Sequence, residues 1–312
     1  MKSKVFCFFF SKKKSPFFLE KRNQKTFIPM AVAALVSVSS ISPAQEDTGR
    51  DFPKTLIFDE PGIDDEVSLP TLIVLPQPGG HETDLDFELD KRLTTRLSLQ
   101  INIGYTVLPR PGDSSVAGWQ NGNATLKFVV LDNRKTERLV SVSLTREFGG
   151  SGAARIGALA TSATSLAVNF GQGFAEFASD EPLLQPFAVT GSAGYTVPDT
   201  ETHEAAREAV ISASLQYSFD VLLAKATNMR LAPFLRQFLP IVEASFTVPD
   251  SAGPATRGLL APGLIYAGEG YQLAAEALLP LTRAAGTHAG LIAQINISLG
   301  KIAGPSWAHP LF

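Results

Sequence analysis

Thiols are almost absent: the single cysteine of the 312 residues, Cys7, lies in a basic leader. For the rest of the chain this excludes a disulfide framework, a thiolate nucleophile and a cysteine-based zinc site. Histidine is scarce too, and His81, His203, His288 and His309 have no partner at metal-binding spacing. Charged residues amount to 18%, less than is usual for a soluble chain. That argues against disorder and against a nucleic-acid surface. Beyond residue 45 no run approaches the ~20 apolar residues that a membrane helix needs. Mean hydropathy is barely above zero, which excludes a polytopic helical membrane protein. None of these absences excludes a β-barrel, whose alternating apolar and polar residues average out.

What charge there is lies unevenly. Residues 1–44 hold eight of the 27 basic residues and one of the 30 acidic ones, so the remainder carries a formal net charge of −10. Lys12, Lys13, Lys14, Lys21, Arg22 and Lys25 precede an uncharged stretch with its apolar heart at Phe27–Val38. Ser42-Pro43-Ala44 then supplies the small residues of a cleavage site. Residues 1–44 therefore read as a secretory signal peptide, with a basic region long enough to suggest an over-extended start. Residues 45–66 are acidic and broken by Pro and Gly, with Asp59, Glu60, Asp64, Asp65 and Glu66. They lack the spacing of a calcium loop and read as a solvated segment without regular structure.

From residue 67 to 300 the dominant period is two. Leu97, Leu99, Ile101, Ile103, Tyr105 and Val107 alternate with Ser98, Gln100, Asn102 and Thr106. A strand places such a set on one face, whereas a helix would scatter it. The same alternation marks strands around 85–89, 126–130, 140–148, 166–170, 187–197, 211–219, 242–248, 260–266, 271–279 and 291–299. Residues 67–76 would be a twelfth, first strand, weakened by Pro70 and Pro76. The connections alternate between long Gly/Pro/Asp/Ser-rich stretches and compact turns. The long set is Pro109–Gly118, Gly149–Gly157, Pro198–Glu208, Pro249–Gly258 and Thr282–Thr287; the compact set is Asp90–Thr94, Asp132–Glu137 and Gly268–Gly270. Long external loops and short periplasmic turns are the habit of outer-membrane barrels. Gly171–Leu183 and Asp220–Arg230 break that habit, and Val221–Ala226 suits a helical turn or a strand extension.

The expected fold is thus all-β: an antiparallel up-and-down transmembrane barrel of about 12 strands over 67–300, followed by a tail at 301–312. The polar strand faces carry mostly Ser, Thr, Asn, Gln, Gly and Ala, which suits a narrow lumen better than a soluble surface. With the apolar residues turned to lipid, the lumen-facing candidates are Asp84, Asp86, Glu88, Asp90, Arg96, Gln100, Asn102, Lys127, Glu243, Glu276, Gln294 and Asn296. Charges inside such a barrel must face water or each other, so Arg96 and Lys127 are expected to pair with Glu243 or Glu276. An open lumen with this excess of acid would favour cations. Tyr105, Phe148, Tyr195, Phe219, Phe246 and Tyr266 fall near strand ends, where an interfacial girdle belongs.

Gly118-Trp119-Gln120-Asn121-Gly122-Asn123, leading into Ala124-Thr125-Leu126-Lys127, resembles a transporter family of outer-membrane barrels named for the meta-pathway of phenol degradation. Phe58–Pro70 is similar to the lead-in to the first strand of related barrels. The resemblance implies a channel in the bacterial outer membrane; it transfers neither a substrate nor a functional residue.

The expected function is passive passage of small solutes, with no enzyme activity, no cofactor and no metal. The expected partners are outer-membrane lipid, a solute of unknown kind and the barrel-insertion machinery, with no nucleic acid. Two alternatives stand beside it. One is a closed structural or adhesive barrel acting through its loops. The other is a soluble periplasmic barrel with its apolar faces inward around an apolar ligand.

Overall fold

The computed structural model describes residues 50, 52–178, 180–202, 205–225, 233–250 and 255–312. The leader at 1–44 lies outside them. The strands are β1 (Glu66–Gln77), β2 (Gly80–Arg92), β3 (Leu97–Arg110), β4 (Asp113–Trp119), β5 (Asn123–Asn133), β6 (Arg138–Glu147) and β7 (Ala163–Gly173). They continue with β8 (Phe187–Pro198), β9 (Glu208–Tyr217), β10 (Phe238–Pro249), β11 (Arg257–Gly268), β12 (Tyr271–Pro280) and β13 (Gly290–Ser298). Every neighbouring pair is antiparallel, and β1 pairs with both β2 and β13, which closes the sheet. Since β3 pairs with β4 along one half and β5 along the other, those two are pieces of a single stave. The result is a closed up-and-down barrel of twelve staves, the architecture that the period-two pattern predicts. Among the described residues no helix is long and apolar enough to cross a membrane.

The first strand forms despite its prolines. Its register shifts between Ser68 and Thr71, so Pro70 sits at a bulge, where a missing donor costs least. The long loop expected at Pro109–Gly118 is corrected: it is a tight turn at Pro111-Gly112 followed by β4. Its Gly, Asp and Ser residues have the composition of a loop, but they lie in a hairpin that continues the wall. Gly112 takes φ +78°, a conformation that a side chain would strain. Between β4 and β5 the wall is completed by the β6–β7 loop. Ala153 donates to the Trp119 carbonyl at 2.8 Å, and Asn121 donates to the Leu159 carbonyl at 2.9 Å. Within the other irregular stretch, Phe219–Lys225 forms a short helix, α1.

The side chains are arranged inside out relative to a soluble protein. Outward positions of the strands carry Ile101, Ile103, Leu126, Leu166, Val168, Ile211, Val242, Leu264 and Ile295, all exposed. Inward positions carry buried Asp, Glu, Ser, Thr, Asn and Gln. The soluble alternative required the reverse of this outer face. At the end where β1 begins and β13 finishes, termed the near end, aromatic rings touch edge to face. One run is Phe187, Tyr217 and Phe219; another is Phe234, Phe238 and Tyr266. Phe148, Tyr195 and Phe246 lie toward the far end. Rings at both ends of an apolar outer band are what two membrane interfaces select.

Candidate functional site

The lumen is built first by β2, whose alternate residues Glu82, Asp84, Asp86, Glu88 and Asp90 all turn inward and are buried. Period two forces this row of carboxylates onto one face, with Leu85, Phe87 and Leu89 on the other. Thr106 donates to Asp84, and Gln120 donates to Thr106 at 2.8 Å, bending across the inner face of β3. Gly104 permits that crossing, because a Cβ there would stand 2.4 Å from Asp86 and 2.6 Å from Gln120. Around the wall from β5 to β10, short hydroxyl pairs link neighbouring staves: Thr125 with Thr145, Ser165 with Thr196, Thr190 with Ser214, and Ser212 with Ser245.

The structure places Asp84, Asp86, Glu88, Asp90, Gln100, Lys127, Glu243, Glu276, Gln294 and Asn296 buried on inward strand positions, with Asn102 half-buried among them. Arg96 is a correction: it is exposed in the β2–β3 turn, one residue before β3 begins. The expected pairing of Lys127 with Glu243 or Glu276 is corrected as well. Its ammonium lies 3.2 Å from Glu60 and donates to the Glu60 carbonyl at 3.1 Å. Glu243 instead accepts two successive backbone N–H groups, those of Leu56 and Ile57, each at 2.9 Å.

The partners of Lys127 and Glu243 have one cause, which the sequence reading missed. Residues 52–65 do not lie in solvent as a charge run; they run inside the barrel. Thr55, Leu56, Phe58, Asp59, Glu60 and Asp65 are buried. Leu56 joins an inward apolar cluster of Ile73, Leu75, Ile241, Ala261, Ile265, Ala274, Leu278 and Ile292. Gln272 holds the Lys54 backbone from both sides, accepting from its N–H at 3.2 Å and donating to its carbonyl at 2.9 Å. The Lys54 ammonium donates to Glu66 and lies 2.8 Å from Glu88. Burial pulls the Lys54 pKa down, but Glu66, Glu88, Glu60 and Asp90 outweigh it and hold the value well above the ordinary 10.5.

At the near end Asp65 closes a clasp. Lys91 reaches it at 2.6 Å and Arg92 at 2.7 Å. Burial pushes this carboxyl up, yet hydrogen bonds from Lys91 and Arg92 prevail and hold it below its ordinary 3.8. The same two cations bind the C-terminal tail, Lys91 donating to the His309 carbonyl at 2.7 Å and Arg92 to that of Ala308 at 2.7 Å. The tail thus lies against the near rim, with Phe312 almost fully exposed. At the far mouth a cavity of about 620 Å³ opens above the apolar cluster, lined by Leu75, Leu108, Leu259, Leu278 and Glu82 among others. Among the described residues no three His, Cys, Asp or Glu side chains are placed to hold a metal ion together.

Some signals for the missed parts were present. Leu72-Ile73-Val74-Leu75, Leu259-Leu260-Ala261 and Leu278-Leu279 break the alternation, which marks strands covered by apolar atoms on both faces. Leu56-Ile57-Phe58 is an apolar triplet inside the acidic segment, out of place in a solvated run.

An inside-out antiparallel barrel closed on itself, with an occupied polar lumen, defines an outer-membrane type β-barrel. No family model matches the chain, and no curated protein matches it. Among solved structures it is similar to the beta domain of the Bordetella autotransporter BrkA, at 13% identity and a TM-score of 0.46, over 76% of this chain and all of that one. It is also similar to OmpT, an outer membrane protein of Vibrio cholerae, at 9% identity and a TM-score of 0.32, over 75% of this chain and 98% of that one. The narrower resemblance to the phenol meta-pathway family gains no support from these matches. The expectation that the chain is not an enzyme is also corrected. With OmpT among its structural neighbours, at that TM-score and identity, the likeness decides catalysis neither way.

Proposed function

We propose that this chain is an outer-membrane channel for small solutes, cation-preferring, whose lumen is closed at rest by its own segment 52–65. The observation that carries the reading is the way this segment is held. Its contacts are ion pairs, hydrogen bonds and the packing of Leu56 and Ile57 on an apolar cluster, all reversible. The inward face of β2 carries five carboxylates, and a lumen of that sign concentrates cations. The resemblance of Phe87–Lys127 to a transporter family points the same way without naming a solute.

Planar-bilayer recording tests it. The full chain should conduct rarely, and a chain lacking residues 50–62 should conduct steadily, with a reversal potential showing cation preference. Silence from both, in barrels that still resist SDS until boiled, would leave a closed scaffold in place of a channel.

A further inference from the structure

The cation that the segment carries into the lumen occupies a site of its own. Lys54 is 4% exposed, so its stem as well as its ammonium is enclosed. Glu66 and Glu88 face the ammonium, and Glu60 and Asp90 add their fields to it. Asp90 stands one pleat from Glu88 on the inward face of β2. It is 1% exposed, and neither of its carboxylate oxygens accepts a hydrogen bond. Lys127 is the other buried cation of this group, but it belongs to β5 and stays with the wall. Lys54 alone of the two leaves when the segment withdraws. The wall then keeps Glu66, Glu88 and Asp90 with Lys127, which has lost Glu60, as their one buried ammonium. Enclosed carboxylates in that condition either take up protons or take another cation.

We infer that Glu66, Glu88 and Asp90 form a binding site for a small primary alkylammonium ion, and that Lys54 is its tethered occupant. The inference rests on the lumen being a path for solutes, and it narrows the permeant class to linear amines. It also supplies the opening step, because a free amine competes with Lys54 for the same carboxylates. The selectivity follows from the donors. A primary ammonium carries three N–H groups on a slim stem, as Lys54 does, whereas a quaternary ammonium carries none.

The test is chemical rescue in the full chain purified from the outer membrane, read as the temperature at which the SDS-resistant form is lost. Lys54→Ala empties the site and should lower that temperature. Millimolar n-butylammonium, which is the lysine side chain as a free molecule, should restore several degrees. Tetramethylammonium and n-butanol should restore none, and adding Glu88→Gln should abolish the rescue. No rescue, or equal rescue by tetramethylammonium, overturns the site. Should Lys54→Ala fail to assemble, the unaltered chain gives a second readout. There n-butylammonium should open the Lys54 peptide bond to trypsin while n-butanol does not, and continued protection overturns the inference. Bilayer recording of the same samples separates the two readings. Rescue without conductance keeps the site and removes the path; conductance without rescue does the opposite.

Discussion

On one side of the lumen, β2 to β9 present carboxylates, hydroxyls and amides that mostly answer one another across neighbouring staves. On the other side, β10 to β13 and β1 present Ile241, Leu259, Ala261, Ile265, Leu278, Ile292, Ile73 and Leu75. Polar islands interrupt that second wall at Glu243, Glu276 and Gln294. The hydroxyls of the polar wall largely pair within the sheet, while its Glu88 and Lys127 are met by the segment. The apolar wall has no such pairing: left to water, it would lose the hydrophobic gain of burial. Leu56 covers it, and Glu243, one of the islands, fixes the backbone that brings Leu56 there. The segment is therefore less a stopper in a pipe than the missing half of one wall. Its charged residues meet the opposite side, Lys54 at Glu88 and Glu60 at Lys127.

Breaking the apolar side should have the largest effect. Leu56→Asp would place a carboxylate in the apolar cluster of Ile241, Ile265 and Ile292. Losing the leucine alone costs roughly 2–5 kcal/mol of docking, and the buried charge adds to that. The expected outcome is steady conductance and protease cleavage within 52–65, in a barrel that still shifts on boiling. Conductance unchanged from the parent chain would mean that Leu56 does not hold the segment.

Next in size is Glu243→Leu, which removes the acceptor of two backbone N–H groups while keeping the wall apolar. Hydrogen bonds to a charged acceptor contribute about 1.5–3 kcal/mol each. Part of that loss is offset by the added apolar surface beside Leu56. Protease access to 52–65 should rise, by less than in Leu56→Asp. Equal access in the two variants would show that the segment is held by its backbone rather than by its leucine.

These two positions also show how far the sequence was legible. Glu243 could be placed inward because Val242, Ala244 and Phe246 alternate with it on β10. Its partner could not, because Leu56 lies 187 residues away in a stretch with no period. Strand faces are local properties, set by the pleat and by adjacent residues. What fills a barrel is decided by long-range fit, and a short irregular segment leaves only its composition to read. Arg96 failed for a smaller reason: its alternation with Leu97 continued past the strand's true start, and strand ends are set by the turn.

Acid and alkali should act on different ends of the segment. The Lys54 pKa is raised, so its ion pairs contribute fully below 10.5 and are lost as pH climbs through the folded value. The Asp65 pKa is lowered, so its clasp contributes above 3.8 and is lost as pH falls through the folded value. Across the neutral range neither end should loosen. In strong alkali the peptide around Lys54 should become open to cleavage while the C-terminal tail stays docked. In strong acid, below 3.8, the Asp65 clasp should open and loosen the tail on Lys91 and Arg92. Hydrogen exchange at 54–57 and at 307–312, followed with pH, reads both ends; release in the opposite order would contradict the assigned partners.

The smallest effects give the sharpest comparison, because they can be matched in size across the two walls. On the polar side Thr190 and Ser214 share a hydroxyl contact of 2.7 Å, and Gln216 donates to both. Thr190→Val keeps the shape and removes about 1 kcal/mol of hydrogen bonding. On the apolar side Ile265→Val removes one methyl group from the cluster around Leu56, for roughly 0.5–1.5 kcal/mol. Both should lower the temperature of SDS resistance by a similar few degrees. They should differ in what they do to the segment. Thr190 belongs to a network closed within β8 and β9, so the valine should leave the protection of 52–65 unchanged. Ile265 belongs to the surface that Leu56 covers, so its shortening should raise cleavage there several-fold. If the two variants expose the segment alike, the lumen responds as one body and the division into two walls has no energetic content.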